Sequence, residues 1–198
     1  KSYDSKLALQ SLLKETKIVG KAEPMQLFYD SSNKNYKILL DQINEAGING
    51  IILFGKPSAS LSFIQQLRQN NMNQSIFGAL SLLGEDEFDD VELAHFNNVT
   101  LVTSGNWLGS RTLPFQNEFK KKFGKTSGAV AAYAFDGMNL IIEAVRHSGL
   151  DREKIQESMS KIHYKGVTGL IQFDERGNRM GAAELIKINN GMSITVEK

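Results

Sequence analysis

Residues 50–80 read GIILFGKPSASLSFIQQLRQNNMNQSIFGAL, and this stretch decides the fold class. It opens with the apolar run GIILF and closes with a second one, SIFGAL. Between these runs Leu61, Ile64 and Leu67 recur at helical spacing, and Ser58 offers a hydroxyl that could cap the helix. Short apolar runs on either side of an amphipathic helix predict a strand–helix–strand unit with parallel strands.

The same unit recurs on both sides of this stretch. Upstream, a helix is predicted from Tyr3 to about Lys17, then a strand at PMQLFY (residues 24–29) and a helix in NYKILLDQINEAG (35–47). Downstream, the acidic stretch GEDEFDDVELAHF (84–96) predicts a short helix, and VTLVTS (99–104) a strand. Alternating strands and helices predict an α/β fold with a parallel, Rossmann-like sheet.

The pattern changes after residue 104. Three helices are predicted in succession, and the middle one, GAVAAYAFDGMNLIIEAVRHSG (128–149), is apolar on nearly all sides. We expect such a helix to be covered over most of its circumference. The chain then predicts strands at TGLIQF (168–173), AELIKIN (183–189) and MSITV (192–196), with Asn190-Gly191 as a hairpin turn.

Composition excludes several classes of protein. Lys and Arg total 23 against 22 Asp and Glu, so no net field favours a nucleic-acid partner. Cysteine is absent, which excludes disulfides and thiol nucleophiles. His95, His147 and His163 lie on separate predicted elements without metal-binding spacing, and no phosphate loop or nucleophile elbow occurs. We therefore expect no metal site, no cofactor and no enzymatic activity.

Three stretches, in order, resemble one known family. Residues 166–178 of YKGVTGLIQFDERGNRMG (164–181) resemble the C-terminal signature of the type I periplasmic solute-binding proteins, in their branched-chain amino-acid (Leu/Ile/Val) group. AAYAFDGMNLIIEAVRHSG (131–149) resembles the long helix before that signature. The order of units from SYDSKLALQSLLKE (2–15) to TLVTSGNW (100–107) is similar to the family's second lobe.

The resemblance implies that the chain is a C-terminal fragment, because family members are much longer and begin with a first lobe. It assigns residues 1–106 and 182–198 to the second lobe. Residues 107–181 form a crossover segment that contributes helices and a strand to the first lobe. The expected partner of that segment is the missing N-terminal lobe, cleaved from this chain, left out of it, or supplied by another chain.

Ligands of open parallel sheets bind beyond the carboxyl ends of the strands. The candidate ligand-binding residues in the corresponding loops, together with the start of the first helix, are Tyr3, Lys56, Ser58, Leu80, Ser81 and Trp107. By resemblance, the family places an aromatic residue at Tyr3, an aromatic residue at Lys56 and an acid at Leu80. The chain matches only the first of these.

The two differences from the family pattern, at Lys56 and Leu80, affect which ligand is expected. A buried ammonium group needs a carboxylate or several acceptors, and Leu80 provides neither. Lys56 instead favours an anionic or carboxylate-bearing ligand, although its side chain could simply point to solvent. Trp107 could stack on a ligand or pack against the crossover, and we favour packing.

The resemblance implies an extracytoplasmic solute receptor of an ABC-type importer, which binds a small polar molecule, amino-acid-like or carboxylate-bearing, between two lobes. Its partners would be that ligand and a membrane permease, and it would be periplasmic or extracellular, lipid-anchored or secreted. The hinge candidates are Thr103, Ser104, Gly105 and Asn106, with residues 178–182. The alternative is a ligand-binding sensory domain of a signalling receptor with the same fold.

Overall fold

The computed structural model describes residues 3–30, 33, 35–83, 95–181, 183–189 and 192–196. Its helices are α1 (Tyr3–Ile18), α2 (Lys37–Glu45), α3 (Pro57–Gln69), α4 (Leu113–Phe123), α5 (Ala129–Ser148) and α6 (Arg152–Ser160). Its strands are β1 (Gly50–Leu53), β2 (Ser75–Ala79), β3 (Val99–Thr103), β4 (Tyr164–Gly166), β5 (Gly169–Ile171), β6 (Glu184–Asn189) and β7 (Met192–Thr195). Short 3-10 turns occur at Leu80–Leu82 and Ser110–Thr112.

The larger sheet has the strand order β1-β2-β3-β6-β7. Its first two strands are parallel and pair from Gly50 with Ser75 to Leu53 with Gly78, so both end at the same edge of the sheet. The smaller sheet is the antiparallel pair of β4 and β5. The predicted α/β class with a parallel sheet is therefore confirmed.

The chain divides into two compact units. Unit 1 contains residues 1–101 and 187–192, and unit 2 contains residues 102–186 and 193–198. The chain passes from one unit to the other within β3, within β6 and within β7. The assignment of residues 107–181 to a first lobe stays a prediction.

The core of unit 1 follows the predicted helical stripes. Leu61, Ile64 and Leu67 of α3 are all buried, as their spacing predicts. Tyr36, directly before α2, packs edge-on against Phe63 with ring centroids 5.6 Å apart, and its hydroxyl donates to the Ala59 carbonyl oxygen. These contacts join the start of α2 to α3.

In unit 2, α5 buries only one face. The buried residues are small or polar as well as apolar, and they are Ala129, Ala132, Asp136, Leu140 and Ala144. The exposed large side chains on the same helix are Val130, Phe135, Met138, Ile141 and Ile142. The apolar face that the sequence predicts is thus present and uncovered in the described part of the chain.

Two local predictions were wrong. Residues 24–29 form no strand, because strand-forming side chains do not suffice on their own and the segment belongs to neither described sheet. Ser58 does not cap α3, because the helix already begins at Pro57 with Lys56 as its N-cap. Proline is favoured at the first helical position because its φ angle suits the helix and its nitrogen needs no acceptor.

Three further predictions fall wholly or largely outside the described residues. They are the acidic helix, of which residues 84–94 are not described, the turn at Asn190-Gly191, and Ala182 in the second hinge segment. They stay predictions.

Candidate functional site

The carboxyl ends of β1 and β2 are covered by the turn that follows β2. A Cβ atom on Gly78 would lie 2.1 Å from Cδ1 of Leu82 and 3.2 Å from the Leu53 carbonyl oxygen, so a larger residue here would displace the Leu82 side chain. This close approach lets the Leu80–Leu82 turn fold back and bury Leu82. As a result, Leu80 is half-buried and Ser81 is exposed at the sheet edge.

Lys56 lies at the start of α3, in the loop after β1. Its backbone is extended and its side chain is exposed, and no side chain caps the helix there. The first-turn amides of Ser58 and Ala59 have no intrahelical acceptor, whereas the Ser60 amide donates to the Lys56 carbonyl oxygen over 2.9 Å. A lysine beside free helical N–H groups is an arrangement that favours an anion.

Two hydroxyls lie close to Gly55 in the same loop. A Cβ atom on Gly55 would be 1.8 Å from the Tyr29 hydroxyl and 2.8 Å from the Ser60 hydroxyl. Both hydroxyl oxygens are buried, and neither has a hydrogen-bond partner within the described residues. Buried hydroxyls normally find a partner, so these two can donate to a water molecule or a ligand at the loop. No sequence motif signals them.

A cavity of about 730 Å³ opens in unit 1 next to this loop. Residues 50–56, residues 24–29 and the α1 residues Ser5, Lys6 and Leu9 contribute to its lining. Lys56 therefore shares a cavity with the first turns of α1. Tyr3, at the start of that helix, is 74% exposed.

Trp107 and the first hinge segment, residues 103–106, belong to unit 2. The indole of Trp107 is only 3% exposed, which agrees with packing, while a ligand contact for it stays a prediction. The Gly105 carbonyl oxygen accepts hydrogen bonds from the hydroxyls of Thr103 at 2.7 Å and Tyr133 at 3.1 Å. The Asn106 amide donates to the Thr168 carbonyl oxygen. The Tyr133 hydroxyl and the Thr168 carbonyl oxygen, both from outside the hinge segment, thus contact its backbone.

Asp136 is buried in α5 and holds the turn between β4 and β5. Its carboxylate accepts from the backbone amides of Val167 and Thr168, each at 2.8 Å, and from the Thr168 hydroxyl at 2.6 Å. A Cβ atom on Gly166 would lie 2.4 Å from this carboxylate, which explains the glycine at that position. The contact explains why the sequence FDG (residues 135–137) in α5 occurs together with GVTG (166–169) in the turn.

Arg179, in the second hinge segment (residues 178–182), contacts the same turn between β4 and β5. Its guanidinium donates to the Thr168 hydroxyl and carbonyl oxygens, at 3.0 and 3.2 Å, and to the Leu170 carbonyl oxygen at 3.0 Å. Its Nε atom is buried without a hydrogen-bond partner in the described ranges. Arg179 also lines a cavity of about 360 Å³ in unit 2, together with Ser104, Asn106 and Arg111.

The turn at residues 174–178 is built around Asp174. Its carboxylate accepts from the side chain of Asn178 and from the backbone amides of Asn178 and Arg176. The hydrogen bonds from Asn178, first the side chain and then the backbone, lower the pKa of this carboxyl below its ordinary value. The DERGN stretch is therefore a turn held by its first residue.

The structure gathers the candidate residues into two groups. Lys56, Ser58, Leu80 and Ser81 follow adjacent parallel strands at one edge of unit 1, whereas Trp107 and the residues from Thr103 to Asn106 belong to unit 2. Sequence reasoning missed the roles of Asp136, Thr168 and Arg179. A lone carboxylate inside an otherwise apolar helical run was the signal that could have identified Asp136.

Neither a metal site nor a membrane span occurs in the described part of the chain. No three His, Cys, Asp or Glu side chains there are grouped so that they could hold a metal ion. None of the described helices combines the length and apolarity that crossing a membrane requires.

Several solved structures are similar to this chain. A branched-chain amino acid ABC transporter periplasmic ligand-binding protein from Burkholderia xenovorans matches with a TM-score of 0.83 and 16% identity, over 100% of this chain and 56% of its own. A leucine binding protein from Thermotoga maritima matches with a TM-score of 0.79 and 19% identity, over 100% and 57%. A solute binding protein from R. palustris, in complex with benzoate, matches with a TM-score of 0.75 and 17% identity, over 94% and 53%.

At these identities the matches show the fold alone, and the chain spans only slightly more than half the length of each structure. The fold is that of the type I periplasmic binding proteins. The family model described as periplasmic binding protein matches residues 12–191, which is most of the sequence. The chain therefore belongs to the periplasmic binding protein family.

Proposed function

We propose that the intact protein is an extracytoplasmic solute receptor of an ABC-type importer, and that it binds a small carboxylate-bearing molecule, amino-acid-like or aromatic. Lys56 at the uncapped start of α3 is the observation that carries this proposal. A cation and free helical N–H groups at the carboxyl end of a parallel strand provide the electrostatics that a carboxylate requires.

The apolar side chain of Leu80 favours a ligand that also has an apolar part. This half-buried apolar residue follows β2, next to the loop that carries Lys56, and offers no acceptor to an ammonium group. A ligand that presents its carboxylate to Lys56 and an apolar part to Leu80 suits both side chains. One similar structure is a solute binding protein in complex with benzoate, and others are a leucine binding protein and a branched-chain amino acid ligand-binding protein.

We propose that a missing N-terminal lobe covers the exposed face of α5 and provides the other half of the binding cleft. The exposed side chains of Phe135, Met138 and Ile141 support this assignment, because apolar residues spaced along one helix face normally pack against another element. The ligand would bind between the lobes and stabilise their closed arrangement, which a membrane permease would then recognise.

A thermal-shift screen of the intact protein tests the proposed ligand class. Amino acids, their amides, short organic acids and aromatic acids are compared at equal concentrations. A carboxylate should raise the melting temperature by mass action, while its amide should not. Lys56→Met should abolish the shift, whereas Lys37→Met, at an exposed lysine of α2, should preserve it. A shift that is equal for acid and amide, or unaffected by Lys56→Met, would contradict the proposal.

A further inference from the structure

The cavity of unit 2, about 360 Å³ in volume, brings two arginines together. Arg111 lies in the 3-10 turn at Ser110–Thr112 and is exposed, whereas Arg179 lies between β5 and β6 and is half-buried. Neither guanidinium forms an ion pair within the described ranges. Positive groups that share a cavity without anionic partners favour a ligand that supplies the negative charge.

Arg179 is held in place by uncharged groups. Its Nη atoms donate to the Thr168 hydroxyl and to the carbonyl oxygens of Thr168 and Leu170, and its guanidinium carbon lies 5.9 Å from the centre of the Tyr133 ring. The carboxylate of Asp136 is connected to Arg179 through the Thr168 hydroxyl rather than by an ion pair. These contacts fix the guanidinium but leave its charge unpaired. An anion that binds a side chain already fixed loses less free energy to ordering it.

The Nε–H group of Arg179 is an unsatisfied donor. Nε is buried and has no hydrogen-bond partner among the residues that the structure describes. A buried donor of a charged group is costly to leave unpaired, and such a group needs an explanation, for which a bound water molecule or ion is one. Gly105 lies directly beside this guanidinium, since a Cβ atom there would be 2.7 Å from Nη1. The charged group is therefore in contact with the first hinge segment.

The charge of the cavity indicates the class of anion. The carboxylate of Glu184 also lines it, so the charged side chains of the lining carry a net charge of +1 when all are ionised. A dianion such as sulfate would leave excess negative charge, whereas a single carboxylate balances the cavity. Val167 and Leu170 in the same lining suit the short alkyl part of an organic acid.

We propose that this cavity binds the carboxylate of a short-chain monocarboxylic acid, with Arg111 and Arg179 as its charged contacts. The site is separate from the proposed ligand loop, because its lining residues belong to unit 2 and Lys56 belongs to unit 1. The lining includes residues 104–106 and 179–181, from both predicted hinge segments. A carboxylate there would contact both segments, so its binding and any rearrangement of the hinge would be thermodynamically linked.

Amide NMR of the intact, isotope-labelled protein tests the site, with sodium acetate as the probe. Acetate replaces sodium chloride stepwise at constant ionic strength. Amide resonances of residues 104–106, 109–111 and 167–170 should shift together and saturate, whereas those of α6 should not move. Shifts that chloride alone produces to the same extent would overturn the proposal, because they would report charge screening and not carboxylate binding.

Arg111→Gln is the principal variant, because Arg111 is exposed and its replacement leaves the contacts of Arg179 in place. The substitution should weaken acetate binding at least about tenfold, since it removes a charge-assisted contact. Arg152→Gln is the matched control, at an exposed arginine of α6 outside the cavity lining, and should bind acetate as the wild type does. Equal dissociation constants for Arg111→Gln and the wild type would overturn the proposal.

Two further variants test the charge balance and the location. Glu184→Gln should tighten acetate binding several-fold, because it removes a negative charge from the lining, and weaker binding would contradict the assigned balance. Lys56→Met should leave the acetate-dependent shifts in unit 2 unchanged, whatever its effect on the proposed solute ligand. Loss of those shifts in Lys56→Met would place acetate at the Lys56 loop and overturn the second site.

Discussion

At the scale of single residues, Asp136 is the buried carboxylate that holds the turn between β4 and β5 in unit 2. It is 1% exposed, and its carboxylate accepts three hydrogen bonds from the turn between β4 and β5. Desolvating a carboxylate is costly, and these charge-assisted hydrogen bonds offset that cost. Gly166 has no side chain that would collide with the carboxylate. The Thr168 hydroxyl, which donates to Asp136, also accepts a hydrogen bond from the Arg179 guanidinium.

We predict that Asp136→Asn destabilises the protein by about 2 to 4 kcal/mol, because the NH2 group of the new side chain would face a backbone N–H donor that a carboxylate oxygen now accepts from. Urea unfolding measures the change. Glu118→Gln, at an exposed carboxyl of α4, is the control and should change stability by less than about 0.5 kcal/mol. Equal effects of the two substitutions would argue against the turn-holding role of Asp136.

Asp174 predicts a dependence of stability on pH. Its pKa is lowered in the folded protein, chiefly by the hydrogen bonds from Asn178, so the ionised carboxylate favours folding. This contribution is fully present above the ordinary aspartate pKa of the unfolded chain, and it is lost as the pH falls through the lowered folded pKa. Asp174→Asn should therefore be less stable than the wild type at neutral pH and equal to it in strong acid.

Unfolding curves recorded across that range measure the difference, with Glu175→Gln as the control at the exposed neighbouring carboxyl. Because Asp174 remains partly accessible to solvent, the effect is screened and the difference should be small. A difference that grows towards acid pH would have the wrong sign for this explanation.

At the scale of elements, the N-cap residue of α3 makes this helix less stable than a standard N-cap residue would. Lys56 occupies a position where Asp, Asn, Ser or Thr would cap the helix. A positive side chain near a helix N-terminus also opposes the helix dipole. An unfavourable residue at this position is understandable if it serves the ligand, as we propose.

We predict that Lys56→Asp stabilises the fold by about 0.5 to 1 kcal/mol and weakens binding of a carboxylate ligand at least tenfold. Chemical unfolding and calorimetric titration measure the two effects separately. Lys17→Asp, at an exposed lysine in the last turn of α1, should destabilise instead, because a negative charge there opposes the dipole. Loss of stability in Lys56→Asp would mean that the lysine has a structural role.

Elements whose hydrogen bonds are internal or local to the chain were predictable from sequence. The helical stripe at Leu61, Ile64 and Leu67 and the apolar runs of β1 and β2 appear where the pattern places them. Residues 24–29 were mispredicted because a strand depends on its neighbour as well as on its own side chains. The partners of Asp136 could not be predicted, because Thr168 lies 32 positions further along the chain and contacts the carboxylate partly through its backbone amide.

At the scale of the whole molecule, the exposed face of α5 has consequences for stability. Met138 is 58% exposed in the chain as described, and exposed positions tolerate a charge with little effect. The same residue would be buried if an N-terminal lobe covers the helix, and a buried unpaired charge is strongly unfavourable.

We therefore predict that Met138→Lys changes the stability of the 198-residue chain by less than about 0.5 kcal/mol but costs the longer protein about 3 kcal/mol. Thermal unfolding of both forms measures this, with Gln156→Lys at an exposed position of α6 as the control. Tolerance of Met138→Lys in the longer protein would exclude α5 as the contact face of a missing lobe.

Trp107 is the single tryptophan of the sequence, and it is shielded from water directly after the residues where bending is expected. Its intrinsic fluorescence therefore originates from one place in the molecule and should emit towards the blue. Movement around residues 103–106 would alter the surroundings of that one fluorophore. A solute that shifts or quenches the emission would make opening and closing visible optically, without any dye attached to the protein.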